Sequence, residues 1–389
     1  MKLWDKKSKL KKEIEDFTVG KDYLLDQKLI KYDCEASFAH AAMLEKINIL
    51  TKEELGKIES VFEEIKSLAK QGKFTIKKEQ EDCHTAIESY LTEKLGDIGK
   101  KIHTGRSRND QVQVVLRLFY KDNLKQIIQL CKDFSDAGKK LTDKHGAIKM
   151  PGYTHMQKAM PSSIGLWIGS FSASMEDNIK YLEYVLTLID QNPLGGAAGF
   201  GTPGLEVDKE LTAKLLKFAK VQENSLYVQL SRGKFEGIIV SALGAVLLDL
   251  NKLATDLMLY TMSEFDFFSL PDNFLTGSSI MPQKKNYDVF ELVRGKYHIV
   301  LGYEMQLKSI CGNLISGYNR DMQLTKEPVM NALEVANDCI SIMTLVINNL
   351  KVHKEKCEKA VTNELYTTEK AYKMVKQGKT FRDAYHSLK

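Results

Sequence analysis

The chain has 389 residues, 43% hydrophobic and 28% charged, enough for a sizeable core and more than one domain. Lysine plus arginine number 56 against 51 aspartates and glutamates, spread along the whole length, so composition gives nucleic-acid binding no support. The six cysteines are far apart without a CxxC pair, the start has no apolar leader, and no window offers the roughly 18 uninterrupted apolar residues of a membrane span; a cytoplasmic protein with reduced thiols and no membrane insertion is expected.

Proline punctuates the chain coarsely because it breaks helices, and the first 150 residues contain none. The spacing predicts a helix through Tyr120, Leu124, Ile127, Cys131 and Phe134, then another through Trp167, Phe171, Met175, Ile179, Leu182, Leu186 and Ile189. A third stripe runs through Leu243, Val246, Leu250, Leu253, Leu257 and Tyr260, with Leu247, Ala254 and Met258 adding a second apolar face. A fourth follows Pro328 through Leu333, Ala336, Ile340, Met343, Ile347 and Leu350. Long helices of this kind pack at shallow angles, and faces that are apolar on two sides need partners on both. The expected fold is an all-α bundle that oligomerises; a monomeric bundle with a wide core rests on the same stripes.

Four connecting segments are rich in donors and cations: HTGRSRNDQ (103–111), PGYTHMQ (151–157), GSSIMPQKKN (277–286) and SGYNRDMQLTKEP (316–328). Any one alone reads as a solvated connector, but four raise the case for a site. In the third, Gly277, Ser278 and Ser279 allow close approach, Lys284, Lys285 and Asn286 supply donors, and Asn286 is placed to cap a helix from about Tyr287 whose N-terminus would attract a carboxylate. Arg106 and Arg108 can fork onto carboxylates, and His155 is the best placed general acid or base near neutral pH. Tyr318, Gln323 and Lys326 would fall within two turns if that stretch is helical, which equally describes a wet helix face. Other patterns carry less: GFGTPG (199–204) lacks the preceding strand that a dinucleotide fingerprint needs, and His84 with Glu88 has no further Cys/His cluster to make a metal site.

The loop GSSIMPQKKN closely resembles the GSSxMPxKxN element of the fumarase/aspartase superfamily. Together with HTGRSRNDQV, PGYTHMQ, EDCHTAIES, NPLGGAAGFGTPG and YNRDMQLTKEP, in order along nearly the whole chain, it resembles the argininosuccinate lyase family. The resemblance implies a three-domain, mostly helical protomer, divided at 1–105, 106–355 and 356–389, whose long central helices form the core of a homotetramer. Active sites would lie where three subunits meet, and argininosuccinate would be cleaved reversibly to arginine and fumarate, in arginine biosynthesis, without metal or organic cofactor. Ser278 matches the family's base, with Lys284 and Asn286 holding the developing dianion. His155 oriented by Glu291 matches the histidine–glutamate pair. Ser37, Ser107, Arg108, Asn109 and Thr154 match carboxylate contacts, Tyr318, Gln323 and Lys326 the grip on the arginine portion, and Arg232 and His84 further site positions.

Tyr287 stands where the family usually has proline, SLYVQLSRGKFE departs from the usual run around Arg232, and the family generally continues for several helices beyond FRDAYHSLK. The competing readings are another lyase of the superfamily, a catalytically silent structural relative of crystallin type, and a protein-binding helical scaffold.

Overall fold

The computed structural model describes residues 11–388; the first ten residues of the expected N-terminal domain and Lys389 lie outside them. The helices used below are, in chain order, α1 (Lys12–Val19), α2 (Ile30–Lys46), α3 (Lys52–Lys70), α4 (Cys83–Leu95), α5 (Arg108–His145), α6 (Ile164–Ile189), α7 (Lys209–Leu215), α8 (Lys234–Tyr260), α9 (Asp288–Ile310) and α10 (Lys326–Asn349). Every apolar stripe read from the sequence falls inside one of them, except that Leu350, the last residue of the fourth stripe, lies just past the end of α10. In α8, Leu243, Val246, Leu250, Leu253 and Leu257 are completely buried, as burial of a whole stripe requires. By composition α8 is long and apolar enough to cross a membrane, yet most of it is buried within protein. At 38 residues α5 extends about 57 Å at the usual rise per residue. Local chemistry sets several starts: Thr51 and Glu54 cap α3 reciprocally, and Asp82 caps α4 by accepting from the Thr85 N–H at 2.8 Å.

The fold class is all-α with small sheets added. PGYTHMQ, expected to be a connector, belongs to an antiparallel hairpin of β1 (Lys149–Thr154) and β2 (Gln157–Ser163), paired from Lys149↔Ser163 to Thr154↔Gln157. A second antiparallel pair joins β3 (Phe268–Ser269) to β4 (Lys351–Val352).

Contacts group the chain into two compact units. The first holds the described residues up to Gln126, Glu183–Ser241 and Tyr303–Ala332; the second holds Ile127–Leu182, Ala242–Gly302 and Leu333–Lys389 as far as described. This grouping by packing differs in kind from the three consecutive segments that the resemblance implies. In the first unit Arg117 is buried and braced by the Gln191 carbonyl at 2.6 Å and the Ser231 hydroxyl at 2.7 Å; burial pushes its guanidinium down to about 10. In the second, Trp167 stacks on Phe268 at 5.0 Å and donates to Asp256 at 2.9 Å. There too the His353 ring bridges Ser269 and Asp266, at 2.9 Å each, which ties β3 to the chain after β4.

Candidate functional site

The candidate residues divide between the two units. The first unit holds Ser37, His84, Ser107, Arg108, Asn109, Arg232, Tyr318, Gln323 and Lys326; the second holds Thr154, His155, Ser278, Lys284, Asn286 and Glu291.

In the first unit a cavity of about 220 Å³ is lined by Arg108, Asn109, Arg232, Tyr318 and Gln323, together with residues that sequence reasoning missed, Asp22, Glu81, Asp82 and Arg320 among them. The Arg108 guanidinium donates to Asp82 at 2.5 Å and to the Thr85 hydroxyl at 3.0 Å, so it is fixed in direction before any ligand arrives. Burial alone would raise the Asp82 carboxyl, but the nearby Arg108 and His84 charges hold it below the usual carboxylate range. Arg232 is only 5% exposed, lies 5.8 Å from the centre of the Tyr318 ring, and leaves its buried Nε without a partner. Gly233 makes that turn possible: its φ is +79°, and a Cβ there would lie 2.1 Å from the Cys311 sulfur.

Gln323 and the candidates of the unit that do not line this cavity are engaged with protein. Lys326 is buried and donates to Asp26 at 2.6 Å and pairs with Asp22 at 3.2 Å; despite burial the two carboxylates hold its ammonium above the usual lysine range. Burial in turn raises the Asp22 carboxyl against the pull of Lys326. The Gln323 amide donates to the Thr18 and Val19 carbonyls at 3.0 and 3.3 Å, which leaves its carbonyl oxygen as the group offered to the cavity. His84 pairs with Asp33 at 3.1 Å rather than with Glu88, which faces His103 at 3.4 Å. The Ser37 hydroxyl donates to Asp33 at 3.2 Å and accepts from Arg106 at 2.9 Å. Burial pushes the Asp33 carboxyl up, and His84, Arg106 and Ser37 outweigh it, leaving it below the ordinary range. Asp26, Cys83 and His84 gather within 4.8 Å, but the Lys326 ammonium and the Cys83 N–H already occupy Asp26, which a cation would have to displace.

Ser107 precedes α5: its N–H donates to Asp110 at 3.0 Å and its hydroxyl accepts from the Asn109 N–H at 3.3 Å. Asp110 also accepts from the Gly195 and Ala197 N–H groups at 3.2 and 2.9 Å, so the glycine-rich stretch after Pro193 serves as an anchor for the start of α5.

The second unit presents its candidates openly. Thr154 and His155 are exposed at the tip of the β1–β2 hairpin, where His155 and Met156 form the two-residue turn with φ of +52° and +59°. Two left-handed non-glycine residues in succession are strained, and such strain is retained where the surroundings hold it. In the GSSIMPQKKN loop the Ser278 oxygen accepts from the Ile280 and Met281 N–H groups at 3.2 and 3.1 Å. Those are the donors that would stabilise a deprotonated serine. Asn286 does not cap the next helix, as the sequence suggested: α9 begins at Asp288, and the Asn286 N–H donates to the Thr276 carbonyl at 2.9 Å while its side chain holds the Gly277 carbonyl at 3.2 Å. Backbone pairing across the loop base takes precedence over capping. Tyr287, the departure from proline, stacks face to face on Phe290 at 5.7 Å and pins the loop's exit. Lys284 and Glu291 are both exposed, Lys285 pairs with Asp272 at 2.6 Å, and no hydrogen bond or ion pair joins Glu291 to His155 among the described residues.

A cavity with fixed guanidiniums, and a loop that cradles a serine oxygen with backbone N–H groups, together equip a protein for chemistry on carboxylate anions. A family described as lyase matches residues 4–302. The argininosuccinate lyase of Thermotoga neapolitana is 46% identical over 387 residues, covering all of this chain and 97% of the relative. That of Parabacteroides distasonis is 40% identical, covering all of this chain and 86% of the relative. Among solved structures, an EDDS lyase variant with bound fumarate aligns at TM-score 0.82 and 25% identity over 94% of this chain and 71% of that one. The class II fumarase of Schistosoma mansoni shares the fold at TM-score 0.79 and 16% identity, covering 96% and 91%. The chain belongs to the lyase family and, within it, to the argininosuccinate lyases, which makes it a carbon–nitrogen lyase.

Proposed function

We propose that the protein cleaves argininosuccinate reversibly to arginine and fumarate, in arginine biosynthesis in the cytoplasm, as a homotetramer whose active sites draw on three subunits. Ser278 removes the proton beside the succinyl carboxylate; its oxygen already accepts two backbone N–H groups, which favours the deprotonated form. The carbon–nitrogen bond then breaks, the electron pair leaves with the guanidino nitrogen, and fumarate forms. Lys284 and Asn286 stand in the same loop to hold the doubly charged carboxylate that precedes bond cleavage. His155 serves the leaving guanidino group, as proton donor or as the residue that orients it, and Glu291 is its partner from another subunit.

The arginine portion occupies the first unit's cavity. Its α-carboxylate faces Arg232 and Arg108, its cationic ends face Asp22 and Asp82, and Tyr318 packs beside them. Lys326 acts one step removed, by fixing Asp22 and Asp26. Self-association is supported by apolar side chains left uncovered on the long helices, including Leu166 at 70%, Leu292 at 64% and Ile299 at 48% exposure, with Leu292 and Ile299 one heptad apart on α9.

The observation that carries the reading is the pairing of full-length relatedness to argininosuccinate lyases with a serine oxygen held by two N–H donors in the shared loop. Ultraviolet detection of fumarate tests it. Purified protein should release fumarate from argininosuccinate, and folded Ser278→Ala and His155→Ala variants should lose roughly 10²- to 10⁴-fold in rate. A folded tetramer that leaves argininosuccinate intact would refute it. The bound fumarate in the EDDS lyase relative favours a second reading, a lyase with the same product and a different amine, which substitution of the amine in the reverse reaction would reveal.

A further inference from the structure

The helices that wall the first unit's cavity network have a second face. On α2, Asp33 and Ser37 serve that network, while Lys31, Glu35 and Phe38, three to four residues apart, point to another side. With α5 residues Leu118, Lys121 and Lys125, and with Leu215 and Lys217 at the end of α7, they line a separate cavity of about 450 Å³. It shares no lining residue with the 220 Å³ cavity and is the larger of the two.

Its chemistry is uneven. The Lys31 ammonium is claimed by Asp122 at 3.4 Å and Glu35 at 3.9 Å, and lies 4.9 Å from the centre of the Tyr32 ring. Lys121 is nearly buried, paired with Asp190 and donating to the Lys217 carbonyl at 2.7 Å. Lys125 and Lys217 have no carboxylate partner among the described residues, although both line the cavity. Lys217 also has a φ of +55°, a conformation unfavourable for lysine, and the Lys121 ammonium on its carbonyl helps hold it there. Beside these cations lies ring and aliphatic surface: Tyr32 and Phe38 are half-buried, and Leu215 is 43% exposed. Glu35 and Asp122 line the cavity too, and Lys31 answers both, so the two further ammonium groups beside apolar surface, in a volume of small-ligand size, suit an anion that carries a ring.

We propose that this cavity binds a small phosphomonoester bearing a flat ring, with the phosphate between Lys125 and Lys217 and the ring against Tyr32 and Phe38. The proposal is independent of the lyase reading, because the two cavities have different walls. Calorimetric titration of the full-length protein with adenosine 5′-monophosphate tests it, beside inorganic phosphate and arginine. The expected result is saturable binding of the nucleotide, weakened at least about tenfold in the Lys125→Glu/Lys217→Glu double variant at unchanged circular dichroism, and undisturbed by saturating arginine. Absence of saturable binding, an unchanged Kd in the double variant, or inorganic phosphate binding as tightly as the nucleotide would each overturn it. Displacement by arginine would also overturn it, by placing the nucleotide in the other cavity.

Discussion

The two units carry their candidate residues in opposite states. In the first, almost every charged group is already answered: Arg108 by Asp82, Lys326 by Asp22 and Asp26, His84 by Asp33. In the second, His155, Lys284 and Glu291 stand exposed, on a strained turn, a surface loop and the first turn of α9. Groups fixed by hydrogen bonds in a partly buried site recognise shape and charge with little reorganisation. Groups exposed on loops gain their reactivity only when something closes over them. The first unit thus presents groups already fixed for binding, and the second presents exposed groups that, under the proposed function, assembly completes.

The sharpest way to break this comparison is to remove one group from each half. Ser278→Ala should lose roughly 10²- to 10⁴-fold in kcat while the unfolding free energy falls by no more than about 1 kcal/mol, because the two N–H groups that its oxygen accepts lie in an exposed loop where water can replace it. Lys326→Ala should do the reverse in kind: it leaves Asp26 buried and Asp22 half-buried without their cation and should cost about 3 to 5 kcal/mol in denaturant unfolding. If Lys326→Ala unfolds like the parent, the binding half is not pre-built as described.

Gly233→Ala sharpens the comparison at one turn. The added Cβ meets the Cys311 sulfur, so overpacking of about 1 to 3 kcal/mol is expected, with KM for argininosuccinate rising more than kcat falls as Arg232 shifts. The double variant Gly233→Ala/Cys311→Ala should regain part of that stability.

Asp82 makes a pH test possible. Its folded-state pKa is depressed, so its pairing contributes stability that is present above the ordinary carboxylate value and lost as pH falls through the folded value. The destabilisation caused by Asp82→Asn at neutral pH should accordingly shrink as pH falls below the ordinary carboxylate value, as measured by urea midpoints. The smallest expected effect is in the other half: Met156→Gly relieves one left-handed residue of the hairpin turn and should stabilise by up to about 1 kcal/mol, read as a raised Tm.

Much of this was legible beforehand, for definite reasons. The stripe from Leu243 to Leu257 is a run of large apolar residues at helical spacing, and burial of that stripe leaves few alternatives to α8. The cavity-lining Arg108, Asn109, Arg232, Tyr318 and Gln323 all lie in sequence segments that match the family's motifs or stand close to them. Asp22 was not legible, because an acidic residue in a charged N-terminal stretch looks solvated until Lys326, some three hundred residues later, pairs with it. The hairpin at Tyr153 to Met160 escaped because its turn uses His155 and Met156 in place of the asparagine and glycine that usually announce such turns. The capping role given to Asn286 failed because a backbone bridge to Thr276 competes for the same residue, and no local pattern predicts a partner ten positions away.

The central claim is that the binding half of one chain works with the reacting half of another. The most direct measurement mixes two inactive variants, Arg232→Ala from the first unit and Ser278→Ala from the second, by joint denaturation and refolding, and follows fumarate release from argininosuccinate. Shared sites predict that the mixture regains activity well above either variant refolded alone, since some assemblies then contain sites with both halves intact. Activity of the mixed tetramers no higher than that of the separate variants would contradict the account and place the whole site within a single chain.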